Sequence, residues 1–574
     1  MSSKPADASP TVAEKIVQAL QRHGVKTIFG QSLPSKLVLA AEAAGIRQLA
    51  YRQENAGGVM ADGFSRISGQ IGVVTAQNGP AATLLVAPLA ECTKASIPVV
   101  ALIQEVERNQ VHKNAFQEFD HFGLFQSCAK WIRRLDASDR IDDYVDAAFI
   151  AAGSGRPGPA VLLLPADLLK EPAAKQSIVR SGSYGRWPID RTRPGKAVIE
   201  EAADAIVKAK MPVVIAGGGV LSSRASAELS RLQEEADLPV FTTFMGKGSV
   251  GEEHPLSCGP MGSLTGPRSL GSRMRPILNE ADLVILVGNR TNQNGTDSWR
   301  IIPAGAKIVH VDVDPNEVGR NYEAIRLIGD AAETLTALAD ALKQRDLSHR
   351  RKARPALEAR VAKGWEAFNN DRKIYAGSNS MPIRPERVMA ELQTLLTKET
   401  IMVADASYSS MWIVGQLRSM APGMRFLTPR GLAGLGWGLP MAIGAKIARP
   451  DARVIVVVGD GGFAHVWSEL ETLVRSKLAI TVIVMNNGVL GFQKDAETAK
   501  FGAFTSAVFF SPVDHAAIAR GVGCDADSIS NPGDILPALR KALGSNKPHL
   551  LDMIVDPKAH PPLSVFDGTI DQAI

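Results

Sequence analysis

The chain has 574 residues, too long for one hydrophobic core and enough for about three or four domains. An apolar content of 45% and a charged content of 21% are those of an ordinary globular protein, and argue against a disordered, fibrous or membrane-embedded chain. A net charge of +5 argues against an electrostatic nucleic-acid binder, and four scattered cysteines with no CxxC pair suggest neither a zinc site nor a disulfide framework. The one basic run, His349–Arg354, reads as a solvated linker. Met1–Pro10 is polar without an apolar signal core, and no run reaches the roughly eighteen apolar residues of a membrane span, so a reducing, cytoplasmic setting is expected.

In chain order, a helix is predicted over Val12–His23, then strands at Lys26–Phe29, Gly72–Ala76, Pro98–Ile103 and Ala160–Leu164 with helical patterns between them, a βα alternation. The stretch Ser181–Gly195 breaks the pattern and reads as an interdomain linker. Strands at Val213–Ala216, Leu283–Val287 and Ile308–Val311 alternate with helices up to about Leu342, after which a charged helical stretch and Gly377–Pro382 mark another boundary. A third unit has strands at Ile401–Ala404, Arg453–Val458, Ile480–Met485 and Leu550–Val555. The expectation is three doubly wound α/β domains over residues 10–180, 195–345 and 380–565.

The chemistry concentrates in the third unit. Val454-Ile-Val-Val-Val-Gly-Asp-Gly-Gly-Phe463 and Ile480-Thr-Val-Ile-Val-Met-Asn-Asn487 read as two buried parallel strands, each ending in oxygen-bearing side chains: Asp460 on one, Asn486 and Asn487 on the other. Ligands bind at the carboxyl ends of parallel strands. Gly459, Gly461 and Gly462 let backbone approach a phosphate, and Asp460 with Asn487 offers hard oxygens suited to Mg²⁺. Alone, Gly-Asp-Gly is also a plain strand-to-helix turn; paired with Asn-Asn across the twenty-four residues Gly462–Met485 it points to a magnesium diphosphate. In the first unit Tyr51–Arg66 places Glu54 at the start of a helix rich in small residues. That setting predicts a buried carboxyl with a raised pKa, able to exchange a proton with a ring nitrogen, although an isolated glutamate there is more often a first-turn helix acid.

These segments resemble thiamine diphosphate-dependent enzymes of the acetolactate synthase, pyruvate oxidase and 2-oxo acid decarboxylase superfamily. The Gly-Asp-Gly and Asn-Asn pair is similar to the cofactor motif. Tyr51–Arg66 resembles its R-x-E-x-x-A segment, Ala76–Thr83 its T-S-G-P-G-A-T loop, and Gly431–Gly444 its G-L-G-x-M-G-F-G-L-P segment. The resemblance implies pyrimidine-binding, central and diphosphate-binding domains in that order, and an active homodimer or homotetramer whose sites lie between the pyrimidine domain of one subunit and the diphosphate domain of another. It implies that Asp460, Asn487 and the Val489 carbonyl hold Mg²⁺, that Tyr408 and Ser409 lie near the diphosphate, that the backbone of Ala433 and Leu435 bonds the aminopyrimidine, with Leu435 wedging the cofactor into its bent form, and that Glu54 activates it.

Within the superfamily, Asn114–Asp120 resembles the acetolactate synthase segment D-A-F-Q-E-A-D and Ala129–Trp131 its T-K-H/W, which implies a carboligase with Phe116, a catalytic Gln117 and Lys130 at the substrate. Lys247, in Phe244–Gly248, is a weaker pocket candidate. Gln31–Pro34 departs from the synthases' Y-P-G-G, Ala496 stands where they have a selective tryptophan, and Phe492 and Gln493 replace their usual apolar pair. Those departures keep open a decarboxylase or C–C lyase for a larger or more polar substrate, of 2-hydroxyacyl-CoA lyase or cyclic diketone hydrolase type. A non-catalytic cofactor-binding paralogue is a third reading. Ala216–Val220, Gly288–Arg290 and His310–Pro315 leave FAD open, since superfamily members with and without it carry such strings.

Overall fold

The computed structural model of the protein describes residues 9–176 and 178–566; the N-terminal stretch discussed above falls outside them except for Ser9 and Pro10. Apolar, β-branched runs form the central strands of three sheets, each of six parallel strands. The first contains β1 (Thr27–Phe29), β2 (Arg47–Leu49), β3 (Gly72–Ala76), β4 (Val99–Glu105), β5 (Trp131–Arg134) and β6 (Pro159–Pro165), in the order β2-β1-β3-β4-β6-β5. The second contains β7 (Pro212–Ala216), β8 (Val240–Thr242), β9 (Ser257–Pro260), β10 (Leu283–Val287), β11 (Lys307–Asp312) and β12 (Ile325–Ile328), in the order β12-β11-β10-β7-β8-β9. The third contains β13 (Ile401–Ala404), β14 (Arg425–Leu427), β15 (Val454–Gly459), β16 (Thr481–Asn486), β17 (Asp525–Ile529) and β18 (His549–Ile554), in the order β14-β13-β15-β16-β18-β17. The expected three doubly wound sheets are therefore present.

Two compact units organise these sheets. One is the chain up to Asp190 with Pro429–Asp451 and Val466–Leu478; the other is Arg191–Thr428, Ala452–His465 and the chain from Ala479. Within the first unit, the helix Glu54–Ser68 packs on the helix Gly438–Ala448 through glycines. A Cβ on Gly63 would come to 2.2 Å from the Met441 carbonyl oxygen, and one on Gly444 to 2.0 Å from that of Met60, so the two backbones touch. In the second unit, Met402, Ile455, Val457, Ile483 and Leu551 of the third sheet form a core with Met411 and Trp412 of the helix Tyr408–Gln416.

The basic run His349–Arg354 corrects its sequence reading. It opens the helix Ser348–Ala376, where Arg350 is buried and donates to the Ala236 and Asp237 carbonyls, and Arg354 pairs with Glu234, Asp237 and Glu358. The charges face packed neighbours as well as water. No helix among the described residues is long and apolar enough to cross a membrane. The four cysteines are buried free thiols.

Candidate functional site

In the third sheet β15 ends at Gly459 and Asp460 opens a one-turn helix, Asp460–Phe463, while neighbouring β16 ends at Asn486, with Gly459 opposite Met485 in register. Strand order reverses between β13 and β15. The segments after these two strands, Tyr408 and Ser409 on one and Gly459–Gly462 on the other, therefore flank the crevice where open parallel sheets bind ligands. Asp460 is only 7% exposed. Its Oδ2 accepts the Gly488 N–H at 2.7 Å; burial pushes the carboxyl above its ordinary range, and the surrounding backbone N–H groups oppose that shift. Asn487 Oδ1 accepts the Val489 N–H at 3.2 Å, and the Val489 carbonyl accepts the Gly491 N–H at 2.9 Å, which leaves a lone pair on each oxygen.

One carboxylate, one amide oxygen and one main-chain carbonyl make a hard-oxygen set of the kind Mg²⁺ takes together with phosphate and water. Among the described residues no group of three His, Cys, Asp or Glu could hold a metal, so a multi-carboxylate or thiolate centre is not on offer. Gly461 packs closely: a Cβ would reach 2.6 Å from the Phe510 ring. Ser409 is buried beside Gly459, its Oγ at 3.6 Å from where a Cβ would sit. Asn486 is occupied differently from Asn487, donating to the Val513 carbonyl and to Asp552 Oδ1 at 3.1 and 3.0 Å.

Tyr408 donates its hydroxyl proton to Asp495 Oδ2 at 2.6 Å and meets the Phe492 ring edge-on at 5.9 Å. Asp495 and Phe492 both lie on the helix Gly491–Phe501, so Tyr408 fastens that helix to its own. Gln493, on the exposed face, donates to Glu497 Oε1 at 2.8 Å, and Ala496 packs partly buried against the sheet core. The tyrosine's phenol is engaged with a carboxylate, which leaves it only lone pairs for other partners.

In the first sheet the strand order reverses between β1 and β3, which brings Gln31 after β1 to the same edge as Gln77–Gly79 after β3. Phe116 is 85% exposed, and Gln117 has φ +61. Gln77 Nε2 donates to Gln117 Oε1 at 2.6 Å, Asn78 Nδ2 to the Gln117 carbonyl at 3.0 Å, and Gln104 Nε2 to Asn78 Oδ1 at 3.2 Å. Buried His121 anchors this cluster. Its Nε2 accepts the Gly79 N–H at 3.1 Å, so Nε2 is the unprotonated nitrogen and Nδ1–H donates to Glu105 Oε1 at 2.8 Å.

Lys130 does not join the cluster. It precedes β5 and donates to the Ser154 carbonyl at 2.6 Å, at the N-terminal edge of the parallel sheet, opposite the edge that carries Gln31 and Gln77. Lys247 is likewise occupied: fully buried, it contacts both oxygens of Glu252 at 2.7 and 2.8 Å and the Leu417 carbonyl at 2.6 Å, an ion pair internal to the second unit.

Glu54 begins the helix Glu54–Ser68 but is half-buried rather than buried, because the small residues that pack closely start only at Ala56. The two residues before it are held by a different carboxylate: fully buried Glu469 accepts the Arg52 and Gln53 N–H groups on Oε1 at 2.9 and 3.3 Å. In the same unit Ala433 sits at φ +63 and Gly436 at φ +82, with Leu435 half-buried between them. Glu105, His121 and Glu469 escaped sequence reasoning; each becomes notable only through a partner distant in the chain.

Residues 10–124 match the thiamine pyrophosphate enzyme N-terminal TPP binding domain, 199–338 the central domain and 405–553 the C-terminal TPP binding domain. The chain is 34% identical to the probable acetolactate synthase large subunit of Methanocaldococcus jannaschii, over 98% of its own length and 95% of the relative's. It is 32% identical to the corresponding protein of Methanococcus aeolicus, covering 95% and 92%, and 31% identical to the acetolactate synthase large subunit of Parasynechococcus marenigrum, covering 96% and 88%.

Proposed function

Since this chain belongs to the thiamine pyrophosphate enzymes and is homologous over nearly its whole length to acetolactate synthase large subunits, we propose that it is a magnesium-dependent carboligase. It would decarboxylate a 2-oxo acid and join the remaining acyl group to a second carbonyl. The observation that carries this reading is the oxygen set at the ends of β15 and β16: buried Asp460, Asn487 and the Val489 carbonyl would hold Mg²⁺, which would neutralise charge on a diphosphate. When bound, thiamine diphosphate supplies the electron sink into which the bond to CO₂ breaks.

The remaining work falls to the protein's own groups. Gly459, Gly461 and Gly462 let the backbone come near the phosphates, with Ser409 and Tyr408 beside them. Ala433 and Leu435 present backbone groups and an apolar wedge to the aminopyrimidine, and Glu54 holds a proton against its ring nitrogen. Phe116, Gln117, Gln31, Phe492 and Gln493 shape the substrate side. A homodimer or homotetramer in the cytoplasm, acting on a small carbonyl substrate, completes the proposal.

Ala496, on the helix that also carries Phe492, favours a second reading, a decarboxylase or C–C lyase with a roomier acceptor side. NMR analysis of products from pyruvate, thiamine diphosphate and Mg²⁺ separates the two. Acetolactate supports the carboligase, acetaldehyde or acetate moves the protein to the decarboxylase or oxidase branch, and untouched pyruvate shows that another donor is selected. Glu54→Gln should abolish turnover and spare magnesium-dependent cofactor binding; unchanged turnover removes Glu54 from its role.

FAD is a separate question belonging to the second sheet. That sheet has the dinucleotide-fold strand order, with its reversal between β7 and β10. Gly217 and Gly219 press against Gly288 there, and buried Asn289 Nδ2 has no partner among the described residues. Flavin absorbance in freshly purified protein would support bound FAD, and its absence would count against it.

A further inference from the structure

We propose that Glu91 is a positioning residue for the cofactor: it sets the backbone that presents Ala433 and Leu435 to the aminopyrimidine. The inference rests on the thiamine diphosphate reading above and concerns a residue in a helix, Val86–Ala95, that carries none of the recognised motifs.

Glu91 is completely buried and divides its two oxygens between successive backbone donors: Oε1 accepts the Gly431 N–H at 2.7 Å and Oε2 the Leu432 N–H at 2.5 Å. Arg66 stands behind it, with Nη2 at 3.5 Å from Oε1, and is itself locked to Asp62 through Nε at 2.5 Å and Nη2 at 2.8 Å. Arg430 places a second positive charge near the carboxylate, so two acids and two guanidinium groups share the site. The loop is seated directly on the Glu91 helix, because a Cβ on Gly431 would come to 2.6 Å from the Glu91 carbonyl oxygen and 2.8 Å from Oε2.

Two residues on, the chain turns through Ala433 at φ +63, and a Cβ on Gly434 would come to 2.5 Å from the Trp437 indole. The segment is therefore clamped at one end by a carboxylate and at the other by an indole, with Ala433 and Leu435 between the clamps. An unpaired carboxylate or an unpaired pair of N–H groups in this buried place would be costly, so the loop has one favoured seating.

The test is calorimetric titration of wild type, Glu91→Gln and Glu91→Asp with two probes, thiamine diphosphate plus Mg²⁺ and inorganic diphosphate plus Mg²⁺. In Glu91→Gln the amide NH₂ faces one of the two backbone donors, so one hydrogen bond becomes a donor–donor contact. The expected result is a tenfold or larger rise in Kd for thiamine diphosphate, with the Kd for inorganic diphosphate within twofold of wild type, since that probe lacks the aminopyrimidine. Glu91→Asp keeps the charge opposite Arg66, should show the same split at smaller amplitude, and serves alone if the glutamine variant does not fold. Equal weakening of both probes, or no change for thiamine diphosphate, overturns the inference by making Glu91 a matter of stability alone. Wild-type protein that fails to bind thiamine diphosphate overturns the underlying reading, a result told apart because it appears without any substitution.

Discussion

Asp460 shows how much a single side chain is asked to do here. Its carboxylate is buried among backbone N–H groups at a strand end, and Asp460→Asn keeps an oxygen for Gly488 but removes the charge offered to Mg²⁺. Loss of one charged ligand should raise the Mg²⁺ concentration needed for half-maximal cofactor binding by about a hundredfold, roughly 2.7 kcal/mol; a magnesium titration at fixed thiamine diphosphate reads this directly. His121 makes a second case. His121→Leu leaves the Gly79 N–H without an acceptor, a cost of about 1–3 kcal/mol, while His121→Gln brings an amide oxygen near the lost Nε2. If the Gln77–Gln117 pairing depends on that anchor, hydrogen exchange across residues 77–84 should quicken about tenfold or more in the leucine variant and return toward wild type in the glutamine variant. Asp460 was legible in the sequence because its signal is local, a glycine-flanked acid after an apolar run. His121 was not, since an isolated histidine beside phenylalanines looks like core until Gly79, 42 positions earlier, is seen to donate to it.

At the scale of elements, every strand expected from the sequence is present, and the strands that escaped it lie at or next to sheet edges. β1, β3, β4, β6, β15, β16 and β18 are apolar runs buried on both faces, which is the pattern that announces a central parallel strand. Edge strands β2 and β17 read Arg47-Gln-Leu49 and Asp525-Ala-Asp-Ser-Ile529; only the last residue of each is buried, and they carry no such pattern. Local pattern also could not show that the helix Gly438–Ala448 packs with the first sheet's helix rather than within its own stretch of chain. The contact is made by glycines, whose lack of a side chain carries no periodic signal. It is sensitive for the same reason. Gly63→Ala or Gly444→Ala drives a methyl group into a carbonyl oxygen, and each should cost about 1–3 kcal/mol, seen as a lower denaturant midpoint at unchanged m-value. Unaltered stability in both variants would mean that the helices can separate without loss.

For the whole molecule, pH acts through buried groups, some in the second sheet and some packed behind the proposed site: Asp552 accepts from Asn486, and His515 meets the Phe463 ring at 5.6 Å. His310 donates through Nε2 to the Asn289 carbonyl at 2.8 Å and accepts the Gly319 N–H on Nδ1 at 3.3 Å, and burial pulls its pKa down to about 4. His515 is pulled down to about 4 for the same reason. Between the ordinary 6.5 and about 4 the unfolded chain takes up protons that these folded histidines refuse, so stability falls as pH falls through that window. Asp312 and Asp552, raised to about 6 by burial, act in the opposite sense and regain stability as pH drops below 6. Calorimetry from pH 7 to 4 on His310→Gln, which has no proton to gain, should show a flatter loss than wild type, by on the order of 2–3 kcal/mol across the window. Parallel curves would remove His310 from the acid response.

The reciprocal glutamates of the first unit also bear on how the protein is made. Glu91 meets its partner 340 positions later in the chain, and Arg52 meets Glu469 across 417. At about 5–20 residues per second, a ribosome needs roughly 17 to 70 s to deliver Gly431 after Glu91 has been joined. From the completion of β6 at Pro165 to the end of that interval, the first sheet exists without the helix that covers the backbone of Met60 and Gly63, and two segments intended to be dry stand in water. A nascent chain in this condition is a natural client for a holding chaperone, and a ribosome stalled between Asp190 and Pro429 would release a first domain that has all its strands and lacks the surface that closes it.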